Sequence, residues 1–132
     1  MENTFENTSP DRLYIYFDGD DIGNHLELLL LDGKLKEAKL FSESIHRSFE
    51  KISKVLLSLN GACLVFSGGD DVVCMCDKTA WDANLSNKFQ KEFQKATGCS
   101  LSGGVGTSIQ EALMNLRRAK LSGKNRIIFN ER

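Results

Sequence analysis

The hydrophobic positions of this chain fall into two patterns: short continuous runs, and longer stretches with helical spacing. The short runs are rich in aromatic and β-branched residues, as strands are, and they cover residues 13–17, 62–66, 72–76, 101–105 and 126–129. The longer stretches repeat apolar residues every three or four positions, as one face of an amphipathic helix does; they begin after Gly33, at Thr79 and at Ser108. The pattern predicts elements in the order βαββαβ, followed by αβ.

Local signals place the starts of the last two helices. Thr79 is expected to begin one of them, and Ser108, followed three residues later by Glu111, forms a capping box that begins the other. The spacing of apolar residues in the last helix predicts that three side chains face the core, namely Ile109, Leu113 and Leu116.

This order of elements predicts the fold class. We expect an α/β (α+β) fold with a ferredoxin-like βαββαβ unit, an added C-terminal αβ, and helices on one face of a mainly antiparallel sheet. Residues 1–12 are polar and are expected to form an N-terminal arm. Because the chain has 132 residues, of which 41% are hydrophobic, residues 13–132 are expected to form one domain with a single core.

Composition excludes several classes of protein. The net charge of -1 provides no broad basic surface for long nucleic acid. The longest apolar run outside the strands, residues 28–31, is far shorter than the roughly 20 residues of a membrane span, and no signal peptide is recognisable. The cysteines lie in or beside apolar strands without Cys-x-x-Cys spacing, which favours reduced core residues and a cytoplasmic location. They are Cys63, Cys74, Cys76 and Cys99.

Two acidic motifs each follow a predicted strand. They read Phe17-Asp18-Gly19-Asp20-Asp21-Ile22-Gly23 and Ser67-Gly68-Gly69-Asp70-Asp71. Gly68 and Gly69 have the backbone freedom that a tight hairpin needs, so Asp70 and Asp71 are expected at a hairpin tip. If the two strands are neighbours, roughly 4.8 Å apart, Asp18 and Asp70 can share one or two Mg²⁺ ions.

Five carboxylates are thereby expected to converge. Without a cation they would repel one another and raise one another's pKa values, whereas a hard dication with oxygen ligands removes that repulsion. Each motif alone also fits a solvated turn or a helix cap, so the presence of both predicts a divalent-metal nucleotide site. The five are Asp18, Asp20, Asp21, Asp70 and Asp71.

A basic segment over residues 117–126 follows the last predicted helix. Cations at this place also complement the dipole of a helix. Beside a metal site, however, Lys120 and Lys124 lie one turn apart and could together hold the outer phosphates of a triphosphate. Backbone amides after Asp18 form a Gly-rich nest at a helix start, suited to the β- and γ-phosphates. The nest comprises Gly19, Asp20, Asp21, Ile22, Gly23 and Asn24.

The order of these motifs resembles the palm domains of the GGDEF and CRISPR large-subunit polymerase family. Diguanylate cyclases of that family carry an Asp-x-Asp strand end, a Gly-Gly-[Asp/Glu]-Glu-Phe hairpin and an Ala-Lys-x-x-Gly-[Arg/Lys]-Asn segment, matched here by residues 18–20, 68–72 and 119–125. The Asp-Asp ending of the hairpin is more similar to the CRISPR polymerase palm. The size of the chain resembles the minimal CRISPR polymerase, and the resemblance covers nearly the whole chain.

The resemblance implies roles for particular residues. Asp18, Asp70 and the Gly19 carbonyl would bind Mg²⁺ or Mn²⁺, with two ions per site, and Asp71 would help to activate an attacking 3′-hydroxyl. Lys120 and, as a second candidate, Lys124 would hold the triphosphate.

The reaction implied is nucleotidyl transfer between ATP molecules, with release of pyrophosphate. Its product would be a cyclic oligoadenylate, cyclic di-AMP or slightly larger. Two facing sites are needed to close a ring, so a homodimer or higher homo-oligomer is expected. The setting implied is antiviral signalling, with a separate effector protein that senses the nucleotide.

Departures from the family pattern shape the remaining expectations. Leu26 stands where diguanylate cyclases read guanine with Asn, which favours adenine, and residues 57–62 lack the Arg-x-x-Asp inhibition motif. His25 and His46 are expected to be ordinary surface or helix residues. Four alternatives stay open: a diguanylate-cyclase-like enzyme, a class III cyclase-like enzyme, a non-catalytic nucleotide sensor, and a structural interaction domain.

Overall fold

The computed structural model of the chain describes residues 11–129, which form five strands, four α-helices and one 3₁₀ turn at Lys78–Ala80. Most of the predicted N-terminal arm, residues 1–12, lies outside the described residues, and its last residue already belongs to the first strand. The elements are β1 (Arg12–Gly19), α1 (Ile22–Leu31), α2 (Leu35–Leu57), β2 (Cys63–Ser67), β3 (Asp71–Asp77), α3 (Ala83–Thr97), β4 (Leu101–Gly106), α4 (Ile109–Leu121) and β5 (Ile127–Phe129).

The strands form one sheet in the order β2-β3-β1-β4-β5. The central strand β1 is antiparallel to both β3 and β4, β2 is antiparallel to β3, and only β5 runs parallel to its neighbour β4. The predicted fold class, a mainly antiparallel α/β sheet of the ferredoxin-like palm type, is confirmed.

One face of the sheet carries the main core. The inward side chains of β1, Leu13, Ile15 and Phe17, are fully buried there. Aromatic residues from α2 and α3, Phe49 and Phe93, pack against them with ring centroids 5.3 Å apart. Helix α1 adds partly buried residues to the same core but buries none completely. The helices of the ferredoxin-like unit therefore share one face, as predicted.

The last helix, α4, lies on the opposite face, so the expectation of helices on a single face is wrong for the added αβ unit. Ala112 of α4 joins a second cluster with Tyr14 and Met75. The approach is close because Gly104 has no side chain: a Cβ there would overlap the carbonyl oxygen of Ala112. The inward residues of α4 are Ala112, Asn115, Leu116 and Ala119. Of the three predicted, Leu116 is buried, but Ile109 and Leu113 are exposed.

Helix α3 begins later than the sequence predicted. Its cap is Asp82, whose carboxylate accepts a hydrogen bond of 2.9 Å from the Asn84 amide, whereas Thr79 lies in the preceding 3₁₀ turn. Ser108, in contrast, caps α4 as predicted, accepting a bond of 3.1 Å from the Glu111 amide.

The four cysteines are free thiols, and three of them are core residues. Burial raises the pKa of Cys74 to about 12 and that of Cys76 to about 11. These thiols stay protonated at neutral pH, as expected for structural rather than reactive cysteines. Within residues 11–129, every helix is too short or too polar to cross a membrane.

Candidate active site

Strand pairing brings the two acidic motifs together. Asp18 at the end of β1 lies directly opposite Asp71 at the start of β3. The chain neighbour of Asp71, Asp70, accepts a backbone hydrogen bond of 3.1 Å from Gly19. The strand beside β1 is thus the one after the hairpin, not the one before it. One carboxylate oxygen from each of Asp18, Asp70 and Asp71 lies within 4.8 Å of the others.

The hairpin depends on both glycines, for different reasons. Gly69 has a φ of 94°, which glycine adopts without strain. Gly68 leaves room for the Asp71 carboxylate, which a Cβ at that position would overlap. A hydrogen bond of 3.0 Å from the Gly68 amide to the Asp71 carbonyl closes the turn.

Asp20 does not join this cluster. It is 3% exposed, and its Oδ2 accepts hydrogen bonds from the Ser100 hydroxyl at 2.7 Å, the Ser102 hydroxyl at 2.9 Å and the Asn125 amide at 3.0 Å. Its Oδ1 accepts from Lys120 Nζ at 2.7 Å. Although burial opposes it, these bonds, led by the one from Lys120, hold the pKa of Asp20 below its usual value.

Asp21 also points elsewhere. It has a left-handed φ of 57° at the start of α1, caps no amide with its side chain, and forms an ion pair with Lys124. Three of the five carboxylates that were expected to converge do so. Asp20 is instead buried and hydrogen-bonded within the protein, and Asp21 forms its ion pair at the surface. The amides of the first turn of α1, in residues 22–24, have no side-chain cap from Asp21.

Lys120, in the last turn of α4, reaches across to the end of β1. Its Nζ lies 3.0 Å from Asp18 Oδ2, 3.0 Å from the Gly19 carbonyl oxygen and 2.7 Å from Asp20 Oδ1. Burial lowers the pKa of Lys120, but the bonds to Asp20 and Asp18 outweigh burial and raise it above the usual value. The lysine is charged, and it is the cation nearest to the acidic cluster among the ion pairs of the described residues.

The carboxylates of the cluster are not fully compensated by this lysine. Burial raises the pKa of Asp18, against the lowering effect of Lys120, and the charges of Asp70 and Asp71 add to the rise. Burial and the charge of Asp70 raise the pKa of Asp71. Such a cluster favours a further cation. A small adjustment of these side chains would let the three oxygens bind one hard dication, since Mg²⁺ takes oxygen ligands at about 2.0–2.1 Å.

Tyr16 is a neighbour that the sequence did not single out. Its hydroxyl lies 3.5 Å from Asp71 Oδ2, and its ring packs edge-on against Phe66, with centroids 6.1 Å apart. Alternation along β1 places Tyr16 on the same face of the sheet as Asp18. A tyrosine two positions before a strand-end Asp is the only signal that the sequence offers for it.

A pocket of about 270 Å³ opens beside the cluster, between α1, α2 and the hairpin. Sequence reasoning gave no account of this pocket and treated His46 as an ordinary helix residue. His46 instead lies under the hairpin, where a Cβ on Gly69 would be 2.8 Å from its Cε1. His25, outside the pocket, stacks on Phe41 with ring centroids 4.3 Å apart. The lining residues are Ile22, Leu26, Phe41, Ser42, Ile45, His46, Gly68, Gly69 and Asp70.

Solved structures share this fold. A Csm1-Csm4 cassette in complex with cA4 matches with a TM-score of 0.64 and 21% identity, and the same cassette with one ATP matches with 0.64 and 22%. Each match covers 92% of this chain and 21% of the other, so the chain spans about a fifth of those proteins. The diguanylate cyclase SiaD from Pseudomonas aeruginosa, with its activator SiaC, matches with a TM-score of 0.56 and 13% identity over 90% of this chain and 50% of that one.

Sequence comparison identifies the family. No protein with a curated function matches the chain. The family model for the minimal CRISPR polymerase domain (mCpol) matches residues 14–130, which include both acidic motifs and the basic segment. The chain therefore belongs to the minimal CRISPR polymerase family.

Proposed function

We propose that this protein is a metal-dependent nucleotidyltransferase that joins ATP molecules into a cyclic oligoadenylate, cyclic di-AMP or slightly larger, and releases pyrophosphate. The observation that carries the proposal is the convergence of Asp18, Asp70 and Asp71 beside Lys120. Family membership and the palm fold support the same class of reaction.

The acidic cluster is the proposed metal site. Asp18, Asp70 and the Gly19 carbonyl would hold Mg²⁺ or Mn²⁺, and Asp71 lies within reach of the same position. When bound, such ions stabilise the attacking and leaving oxygens of an in-line displacement at phosphorus. Asp71 is suited to accept the proton of the attacking 3′-hydroxyl, because its carboxylate lies beside Asp18 and Asp70 at the proposed metal position.

The triphosphate has partners on two sides of the cluster. The amides at the start of α1, in residues 22–24, offer donors at the positive end of a helix dipole. Lys120 supplies a charge from the end of α4, and Lys124 lies at the edge beside Asp21. With the α-phosphate near Asp18, these groups would orient the leaving pyrophosphate away from the attacking hydroxyl.

We assign the base to the pocket between α1 and α2. Its walls are apolar at Ile22, Leu26 and Phe41, and the polar side chains Ser42 and His46 can contact the edge of a purine. Leu26 offers no hydrogen bond, which favours adenine over guanine. The ligands in the Csm1-Csm4 complexes, which include ATP, pppApApA, cA3 and cA4, support an adenine nucleotide as the substrate.

Ring closure implies more than one copy of the chain. One cluster holds one triphosphate over its own carboxylates, so a second site must present the attacking 3′-hydroxyl in line. We therefore propose that the active form is a homodimer or a higher homo-oligomer. We further propose that the product acts in antiviral defence in the cytoplasm and is sensed by a separate effector protein.

Product analysis tests this function directly. The purified protein is incubated with each of the four NTPs and Mg²⁺ or Mn²⁺, and the products are identified by mass spectrometry. We expect a cyclic oligoadenylate from ATP and no product from the Asp70→Asn variant. A cyclic dinucleotide from GTP would favour the diguanylate-cyclase alternative, and monomeric cyclic AMP the class III cyclase alternative. Binding of nucleotide without any product would indicate a sensor.

A further inference from the structure

Lys120 is held inside a shell of oxygen atoms. Its Nζ contacts Asp20 Oδ1 at 2.7 Å, Asp18 Oδ2 at 3.0 Å and the Gly19 carbonyl oxygen at 3.0 Å, and the Asp18 carbonyl oxygen lies at 3.5 Å. An ammonium group has three hydrogens to donate. The three shorter contacts use all of them, so the charge is directed into the protein, and the side chain is only 23% exposed.

Two of these oxygens belong to residues that we assign to the metal site. Asp18 is a member of the acidic cluster, and the Gly19 carbonyl is the proposed further ligand. A dication bound to the Gly19 carbonyl would lie on the side where the ammonium now sits. Because two cations this close repel in a partly buried site, a dication bound at these oxygens would weaken the contacts of the ammonium with them.

The charge balance points the same way. Lys120 pairs with Asp18 and Asp20, and Asp70 and Asp71 lie beside Asp18. These four carboxylates and one ammonium leave three net negative charges. One dication reduces this to a single negative charge. A second dication, with Lys120 still in place, would make the site positive before any phosphate is present. A triphosphate supplies the negative charge that makes the second ion favourable.

We infer that the Lys120 ammonium occupies the place of a second cation in the nucleotide-free protein. One ion binds at Asp18, Asp70 and Asp71 while the lysine stays in place. The second position opens when the ammonium leaves Asp18 and Gly19 for the triphosphate. This inference rests on the proposed function, to which it adds an order of assembly.

Asp20 stays in place during this movement and keeps its contact with Lys120. Its Oδ2 is fixed by the Ser100 and Ser102 hydroxyls and by the Asn125 amide, so the carboxylate keeps its position whether or not the lysine moves. Lys120 can therefore give up its contacts with Asp18 and Gly19 while it retains the bond to Asp20. Asp20 then acts as a positioning residue, not as a ligand of nucleotide or metal.

The test counts Mn²⁺ ions on the purified full chain without nucleotide, by electron paramagnetic resonance of free Mn²⁺ and by calorimetry. We expect one ion on the wild type in the micromolar to millimolar range. Lys120→Met, which removes the charge but keeps the length of the side chain, should bind a second Mn²⁺ at least tenfold more tightly than the wild type does. Lys124→Met removes the same charge from an exposed ion pair and serves as the matched control.

A second variant keeps the test independent of folding defects. Lys120→Met leaves Asp20 without its charged partner, whereas the double variant Lys120→Met/Asp20→Asn removes both charges and should gain the same second ion. The inference is overturned if the wild type already binds two ions, if neither Lys120 variant gains one, or if Lys124→Met gains as much. Product formation from ATP by the wild type decides the proposed function separately, because it does not depend on how many ions bind before the nucleotide.

Discussion

Asp18 of β1 and Asp71 of β3 lie directly opposite each other in an antiparallel pair. Residues opposite each other share a face of the sheet, and a slip of one residue in the register would turn one of them to the other face. The tight Gly68-Gly69 hairpin places the first residue of β3 at the site. The pairing of β1 with β3 along their length then fixes the register that puts Asp71 opposite Asp18. The acidic cluster thus depends on strand pairing more than on either motif alone.

The cluster predicts a stability increase on binding of metal and nucleotide. Mg²⁺ or Mn²⁺ with ATP should raise the free energy of unfolding by about 3 kcal/mol at a hundredfold excess over Kd. Asp70→Asn should remove most of that increase, because it takes one ligand from the ion. Differential scanning fluorimetry measures the shift. A wild-type melting curve that is unchanged at saturating metal and ATP would refute the site.

Binding and chemistry should separate at Lys120 and Asp71. Lys120→Ala removes a charge from the proposed triphosphate site, so it should weaken ATP binding and slow turnover, whereas Asp71→Asn should slow turnover with a smaller loss of binding. Calorimetry with a non-hydrolysable ATP analogue and single-turnover kinetics measure the two effects. If Lys120→Ala changed neither, the lysine would serve only its structural ion pairs with Asp18 and Asp20.

The base pocket predicts a change of purine preference. Leu26→Asn places an amide in the pocket and should raise the use of GTP relative to ATP by about tenfold, roughly the value of one net hydrogen bond. Leu28→Asn changes an exposed leucine of the same helix, 59% exposed, and is the matched control. Competition between ATP and GTP in one reaction, with products separated by chromatography, measures the ratio. If the two variants used GTP and ATP in the same ratio, the base would have to bind outside this pocket.

Ring formation should depend on protein concentration. If two protomers together carry out one reaction, specific activity rises with enzyme concentration in the range where dimers form. Adding an inactive Asp18→Ala/Asp70→Ala protomer to the wild type should lower the yield of cyclised product more steeply than dilution does. A yield that followed simple dilution at every ratio would exclude an active homodimer.

Asp20 predicts a pH-dependent contribution to stability. Asp20→Ala should lower the free energy of unfolding by about 3 kcal/mol, because it leaves the partly buried Lys120 without its main partner. Because the pKa of Asp20 is lower in the folded than in the unfolded state, its contribution is fully present above the ordinary Asp value of about 3.9 and is lost as pH falls through the lower folded value. Urea denaturation of wild type and Asp20→Ala should show a constant difference in the free energy of unfolding near neutral pH that narrows in acid. A difference that grew in acid would contradict this assignment.

Sequence patterns predicted the strands and the hairpin well, because each depends on local signals. They predicted the acidic cluster only in part, since three of the five expected carboxylates converge. The apolar run of β1 delivers Asp18, and Gly68-Gly69 turns the chain before Asp71. The role of Asp20 could not be predicted in the same way, since it has the same side chain as the metal-site residues. It is set apart by Ser100 and Ser102, which come from the neighbouring strand β4 and the residue before it, 80 and 82 positions later in the chain.

The orientation of α4 was mispredicted for a physical reason. Large apolar residues usually mark the buried face of a helix, and they indicated Ile109 and Leu113. Close contact with a glycine-rich strand instead selects small residues, here Ala112 and Ala119, and leaves Leu113 47% exposed. The pocket beside the cluster was missed because the sequence does not show which polar positions of α2 face α1.

The contact between Gly104 and Ala112 sets how far α4, the helix that carries Lys120, lies from the sheet. Backbone meets backbone there, with no side chain between that could shrink, grow or change rotamer. The spacing between the sheet and the backbone of α4, which carries Lys120, is therefore set by the main chain at this contact. A side chain at Gly104 would push α4 away from the sheet and move the backbone of Lys120 with it, whereas the ammonium stays free to move within the reach of its own side chain.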